Sequence, residues 1–311
     1  LSAPYQIIFP SQTVVRFPRK WFMTQTYRII SETRSSYLLE EAGTEVAISK
    51  KLCKNQFYVG DFVTYDANGL KLLKRVNTVS KSSNVTVKNF NNQAKEQVMA
   101  SNVDQIFILI ALDQNCSLAK LERYYLVFYQ EGIDLHLILS KKDLVPDYVH
   151  FVERVTDLYP QMQVLAISQD DGTSLEQVKK CLNPNSTGLL LGASGAGKST
   201  LLNYLTGHKI AKVNQTRSDG KGKHTTTSSH LIKLPSLDYH LIDTPGFKGI
   251  DKVKKLDLAP LFSEILNLAK LCHFPNCQHD SEPKCAIKTA LADGTLSQTL
   301  WQRYVYLKNK G

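Results

Sequence analysis

Residues 187–206, TGLLLGASGAGKSTLLNYLT, set a continuous apolar run, a glycine-rich turn and a helix-spaced apolar run end to end. The turn matches G-x-x-x-x-G-K-[ST] through Gly192, Gly197, Lys198 and Ser199. Such a loop holds phosphate only where a buried strand delivers it to a helix N-terminus, which is the context found here. Backbone N–H groups from Gly192, Ala193, Ser194, Gly195, Ala196 and Gly197 to Thr200 are then expected to surround the phosphates. Lys198 would neutralise the β- and γ-phosphates, and the Ser199 hydroxyl would ligate Mg2+. The same loop fixes the fold class: α/β, with a mostly parallel, doubly wound sheet. Residues 103–111, 134–140, 162–168, 187–192 and 239–243 are continuous apolar runs separated by helix-spaced stretches. Runs of this kind form parallel strands covered on both faces.

The strand ends carry the chemistry. HLIDTPG at 240–246 ends a buried run with Asp243, placed to hold magnesium, and Gly246, whose N–H would meet the γ-phosphate. SKKD at 140–143 (Ser140, Lys141, Lys142, Asp143) ends another run and resembles the Asn-Lys-x-Asp box that reads guanine. A carboxylate there accepts from guanine N1–H and the exocyclic amine, a donor pair adenine lacks. The next run ends in AISQDDG, where Ser168 and Gln169 match the second base-binding loop. In an ordinary GTPase the phosphate loop comes first and the guanine box last. The order here is guanine box, second base loop, phosphate loop, magnesium Asp. Strand ends of a doubly wound sheet share one crevice, so rotating the chain order preserves the site. The expected protein is a circularly permuted GTPase using GTP/GDP.

Between phosphate loop and Asp243, residues 212–230 are rich in Gly, Ser, Thr and Lys and suit a mobile loop. Thr226 is expected to close on magnesium there, with Thr225 next in line. Hydrolysis requires a group that orients water. Phe247 follows Gly246 where many GTPases carry glutamine, so His224 is the candidate for catalysis.

Cys53, Cys116 and Cys181 are scattered, whereas Cys272, Cys277 and Cys285 cluster with His279 as C-x4-C-x-H-x5-C. Three thiolates and an imidazole make a closed tetrahedral shell for one structural Zn2+. The scattered set does not read as a disulfide framework; it points to a reducing, cytoplasmic setting.

The flanks complete the plan. Residues 1–25 form an arm of unassigned role, a targeting remnant or sequence upstream of a natural start at Met23. Five short β-rich runs in 26–78 suggest a small barrel, with the oligonucleotide-binding (OB) type the commonest five-stranded candidate and a chromo-like or SH3-like barrel similar in sequence. Residues 79–101, polar and rich in Ser and Asn, read as a linker; 102–255 hold the GTPase domain, and 256–311 a helical zinc-binding domain. No apolar run approaches the ~20 residues that cross a bilayer, so no membrane partner is expected. The net charge is +10. Residues 209–255 supply six of those charges, with ten Lys/Arg against four Asp/Glu, favouring a polyanionic partner.

These motifs together resemble the ribosome small-subunit-dependent GTPase A family (RsgA/YjeQ). The likeness runs from about residue 26 onward, through VGDFV (59–63), NVDQIFI (102–108), GASGAGKSTLLN (192–203), GKGKHTTT (220–227), DTPGF (243–247) and the zinc loop with CAIKTALADG (285–294). It implies an N-terminal OB barrel, a permuted GTPase domain and a C-terminal zinc domain in a monomer. It also implies binding to the small (30S) ribosomal subunit and its rRNA, with subunit-stimulated GTP hydrolysis late in subunit maturation. The family's proposed catalytic histidine falls on His224. Ser140 departs from the usual asparagine, which contacts guanine N7 and braces the phosphate loop. Gln169 replaces an alanine that reads the base through its backbone. The basic segment that often follows the barrel is not recognisable. Two rivals stand beside this reading: a P-loop ATPase or kinase, disfavoured by Asp143 and Ser168, and a GTP-binding rRNA clamp with negligible turnover, favoured by Phe247.

Overall fold

The computed structural model describes residues 7–8, 14–15, 25–66, 69–83, 95–113, 116–207, 229–234, 237–244 and 256–310. Strand β1 (Ile7–Ile8) pairs antiparallel with β2 (Val14–Val15). Next come β3 (Thr26–Glu32), β4 (Ser36–Glu41), β5 (Thr44–Ser49), β6 (Phe62–Asp66) and β7 (Gly69–Lys74). They pair antiparallel in the order β5-β4-β3-β6-β7. Alternation decides which face closes: Ile29, Tyr37, Leu39, Val46, Ile48, Val63 and Leu70 point into one small core with Phe57. Ala42 and Gly43 both take positive φ, 46° and 82°, which lets a two-residue turn join β4 to β5.

The two ends of the segment expected as a linker form strands. Strands β8 (Thr78–Ser83) and β9 (Lys95–Ser101) pair antiparallel across it. Val79 and Ala100 are fully buried in the main core, so the pair is held by one apolar face despite its polar sequence. Two asparagines tie its base. Asn77 donates to the Val103 carbonyl (2.7 Å) and accepts from the Val103 N–H (2.8 Å). Asn102 accepts from the Val76 N–H (2.8 Å) and donates to the carbonyls of Gly60 (2.9 Å) and Lys74 (3.1 Å). This is a junction between the N-terminal strands and the central sheet.

The central sheet contains β10 (Gln105–Ala111), β11 (Asp134–Ser140), β12 (Gln163–Ala166), β13 (Thr187–Gly192), β14 (His230–Leu234) and β15 (Tyr239–Asp243). It is mixed: β12-β11-β10-β13-β15 run parallel, and β14 lies antiparallel beside β15. A bridge between His230 and Ser31 joins β14 to β3, so the N-terminal strands continue the same sheet. Helices α1 (Leu118–Phe128), α2 (Tyr148–Leu158), α3 (Gly172–Lys180) and α4 (Lys198–Thr206) connect the strands. On β10, Ile106, Ile108 and Ile110 pack with α1 and α2, whereas Phe107 and Leu109 pack with α3 and α4. Burial on both faces explains why the strand reads as unbroken apolar sequence.

Helices α5 (Ala259–Ala269), α6 (Ala286–Ala292) and α7 (Gln298–Lys310) follow. Leu261, Phe262, Ile265, Ile287, Tyr304 and Leu307 share one core with α1 and α2. A buried polar network crosses that contact. Glu122 on α1, 0% exposed, accepts from the Tyr159 hydroxyl and, through both carboxylate oxygens, from the Arg303 guanidinium on α7. Among the described residues, no helix is long and apolar enough to cross a membrane.

Candidate functional site

The turn after β13 shows why its glycines are needed. A Cβ on Gly192 would stand 2.7 Å from the Leu109 carbonyl oxygen, so only glycine lets the two strands end side by side. Gly195 and Gly197 take φ of 79° and 89°, left-handed values that turn the backbone over into α4. Lys198 opens that helix and folds back, its Nζ donating to the carbonyls of Gly192 (2.7 Å) and Ala193 (3.2 Å). Ser199 and Thr200 are exposed on the same first turn.

Asp243 ends β15, where Thr244 fixes the strand end by donating its hydroxyl to the Leu190 carbonyl (2.8 Å). Burial raises the Asp243 carboxyl above its ordinary range, opposed by the Lys198 charge and the Thr244 N–H. Burial likewise lowers Lys198, opposed by Asp243. Each group supports the other's charged form in a partly dry crevice, which is the electrostatic setting a phosphate–metal pair requires.

The two segments expected to read the base, 140–143 and 168–169, follow the ends of the neighbouring strands β11 and β12. Ser140 is buried and donates its Oγ–H to the Ala196 carbonyl at 2.7 Å, so the shortened side chain still braces the phosphate loop. Lys141 takes a left-handed φ of 62°, and its ammonium pairs with Asp113 at 2.8 Å. A single 3-10 turn spans Lys142–Leu144 and presents Asp143 to solvent. Lys142 pairs with Asp171 at 2.6 Å and donates its N–H to the Ile167 carbonyl (3.2 Å). Ser168 is buried, its N–H donating to Ser174 Oγ (3.2 Å), while Gln169 is exposed. His224, Thr225, Thr226, Gly246 and Phe247 lie outside the described residues.

Asp113 and Asp171 are contacts that the motifs did not name. The Asp-Gly-Thr-Ser run at 171–174 carries a helix-cap pattern that points to Asp171. Nothing local marks Asp113. Replacing Ser140 with Ala should leave the Ala196 carbonyl unpaired and weaken GDP binding by about five- to tenfold, one buried hydrogen bond's worth. A fluorescent-GDP titration reads this directly.

In the C-terminal part, ligand atoms of Cys272, Cys277, His279 and Cys285 all lie within 4.8 Å of one another. His279 Nδ1 stands 3.5 Å from Cys272 Sγ and 3.4 Å from Cys285 Sγ, and the two sulfurs are 3.9 Å apart. A tetrahedron with ~2.3 Å Zn–S bonds has edges of about 3.8 Å, so the donor set fits zinc in both chemistry and spacing.

A chain that meets its base loops before its phosphate loop, yet brings both to one edge of a parallel sheet, is a circularly permuted P-loop GTPase. Residues 78–253 match the family model described as RsgA GTPase. The chain belongs to the RsgA GTPase family and is a GTP hydrolase. It is 32% identical over 281 residues to small ribosomal subunit biogenesis GTPase RsgA 2 of Vibrio parahaemolyticus, covering 89% of this chain and 76% of that one. It is 33% identical over 289 residues to RsgA 2 of Listeria monocytogenes, covering 91% and 80%. The fold resembles that of YjeQ from Thermotoga maritima, with a TM-score of 0.62 at 22% identity over 91% of this chain and 96% of that one. It likewise resembles YloQ, described as a circularly permuted GTPase, with a TM-score of 0.60 at 22% identity over 92% and 95%.

Proposed function

We propose that this GTPase binds the small ribosomal subunit and its rRNA, hydrolyses GTP there during late subunit maturation, and is stimulated by the subunit. One observation carries the reading: relatives 32–33% identical over 89–91% of the chain are small ribosomal subunit biogenesis GTPases. The surplus of positive charge in residues 209–255 supports an RNA partner. The protein acts as a monomer, and residues 26–78 serve as an OB-type RNA-binding barrel.

Within the site, the loop from Gly192 to Thr200 holds the phosphates, with Gly246 at the γ-phosphate. Ser140, Lys141, Lys142, Asp143, Ser168 and Gln169 form the guanine pocket, with Asp143 selecting the base. Ser199, Thr226 and Asp243 would hold Mg2+, which supplies charge neutralisation at the phosphates. His224 orients the attacking water. Cys272, Cys277, His279 and Cys285 hold one structural Zn2+.

Hydrolysis measured with and without purified small subunits tests the reading. Strong stimulation by the subunit, lost in His224→Ala, is the expected result. Turnover that the subunit leaves unchanged would turn the reading toward a clamp that holds GTP without using it.

A further inference from the structure

The guanine pocket of this chain contains a link that no motif assigns. Asp171 divides its carboxylate between two tasks. Oδ1 accepts from the N–H groups of Thr173 (3.1 Å) and Ser174 (3.2 Å), capping α3, while Oδ2 meets Lys142 Nζ at 2.6 Å. Ser174 extends the connection, donating its hydroxyl to the Asp171 carbonyl (2.8 Å) and accepting from the Ser168 N–H. An unbroken path of bonds therefore runs from the first turn of α3 to Ser168, and across to the residue next to Asp143. The Lys142 and Asp171 side chains are 18% and 36% exposed, so the pair is only partly screened by water.

We propose that Lys142 and Asp171 are a positioning pair that holds the two base-reading loops in register, making Asp171 a determinant of guanine-nucleotide affinity. This rests on reading 140–143 and 168–169 as the base pocket. Asp143 sits on a short exposed turn, and its two acceptor oxygens serve guanine only if that turn is fixed relative to Ser168. Two backbone bonds join the strand ends through Ile167, its N–H donating to the Leu139 carbonyl (2.8 Å) and its carbonyl accepting from the Lys142 N–H (3.2 Å), and the ion pair adds a side-chain link beyond them that restrains the turn carrying Asp143.

Asp171→Asn is the informative change, because asparagine caps a helix nearly as well as aspartate yet carries no charge. Fluorescent-GDP titrations should show a three- to fivefold rise in Kd for Asp171→Asn and for Lys142→Met. The double variant should be no weaker than either single one. For Asp171→Asn the thermal midpoint should stay within about a degree, and the loss should fall on KM for GTP rather than kcat. Unchanged Kd in both single variants, or losses that multiply in the double one, would overturn the proposal. Asp143→Asn separates this from the underlying reading. That variant should turn preference from guanosine toward xanthosine nucleotides. If it leaves base preference untouched, the base pocket itself has been misplaced.

Discussion

Stripping the metal from the C-terminal loop is expected to unfold the region from Cys272 through α7. Structural zinc in small modules contributes about 10–16 kcal/mol of apparent binding free energy, comparable with the ~5–15 kcal/mol that holds a whole domain together. The loop has little else to fix it: Cys285 is buried, but Cys272, Cys277 and His279 are only partly so, and His279 takes a left-handed φ of 65°. Trp301 provides the readout. Its ring meets His279 edge-on at 5.7 Å and stacks on Tyr304 at 5.5 Å, so loss of the site moves it into water. In a Trp21→Phe background, chelation should shift the emission to the red, and Cys285→Ser should reproduce the shift without chelator. An emission spectrum and denaturation midpoint indifferent to strong chelator would remove zinc from the account of this fold.

The second large effect lies at the Glu122 network. Arg303→Met leaves a fully buried carboxylate facing only a tyrosine hydroxyl, and breaking a buried pair from one side typically costs about 3–5 kcal/mol. The side chain of Arg303 is 19% exposed while that of Glu122 is wholly enclosed, so removing the arginine is the harsher change. Glu122→Leu combined with Arg303→Met should recover much of the loss, since no charge then stays behind. Tyr159 reports on the same place: burial, then the Glu122 charge, push its hydroxyl well above the usual tyrosine range. Urea midpoints at constant slope provide the measurement. A loss below about 1 kcal/mol in Arg303→Met would mean that water reaches the carboxylate.

How much of this was legible depended on how local each signal is. The phosphate loop declares itself because its glycines, lysine and serine act within nine consecutive residues, and the Cys/His loop because its four ligands fall within fourteen. The rotated order could be read from strand ends alone, since a parallel sheet gathers them whatever the connectivity. Ser140 stood out in the sequence only as a member of the expected base box, and its partner in the fold, Ala196, lies 56 residues away. The β8–β9 pair escaped because polar residues, Ser and Lys foremost, dominate it; the apolar face that holds it needs only such residues as Val79 and Ala100. A change of pattern near residue 256 suggested a separate C-terminal unit. Sequence carries no sign that Phe262 and Tyr304 would pack on Tyr124 and Tyr159 in a shared core.

The bond between Glu122 and Arg303 spans 181 residues, and that distance has a meaning in time. A nascent chain grows at roughly 5–20 residues per second, so the carboxylate waits some 10–35 s for its arginine to be made. During that interval α1 and α2 have the strands to lean on but lack the layer that closes over them, and an ionised group stands where the finished protein is dry. The turn at Lys142–Leu144 leads directly into α2. The layer that closes over α1 and α2 is thus complete only once α7 has been made, and the burial of Glu122 is finished long after its own helix can form.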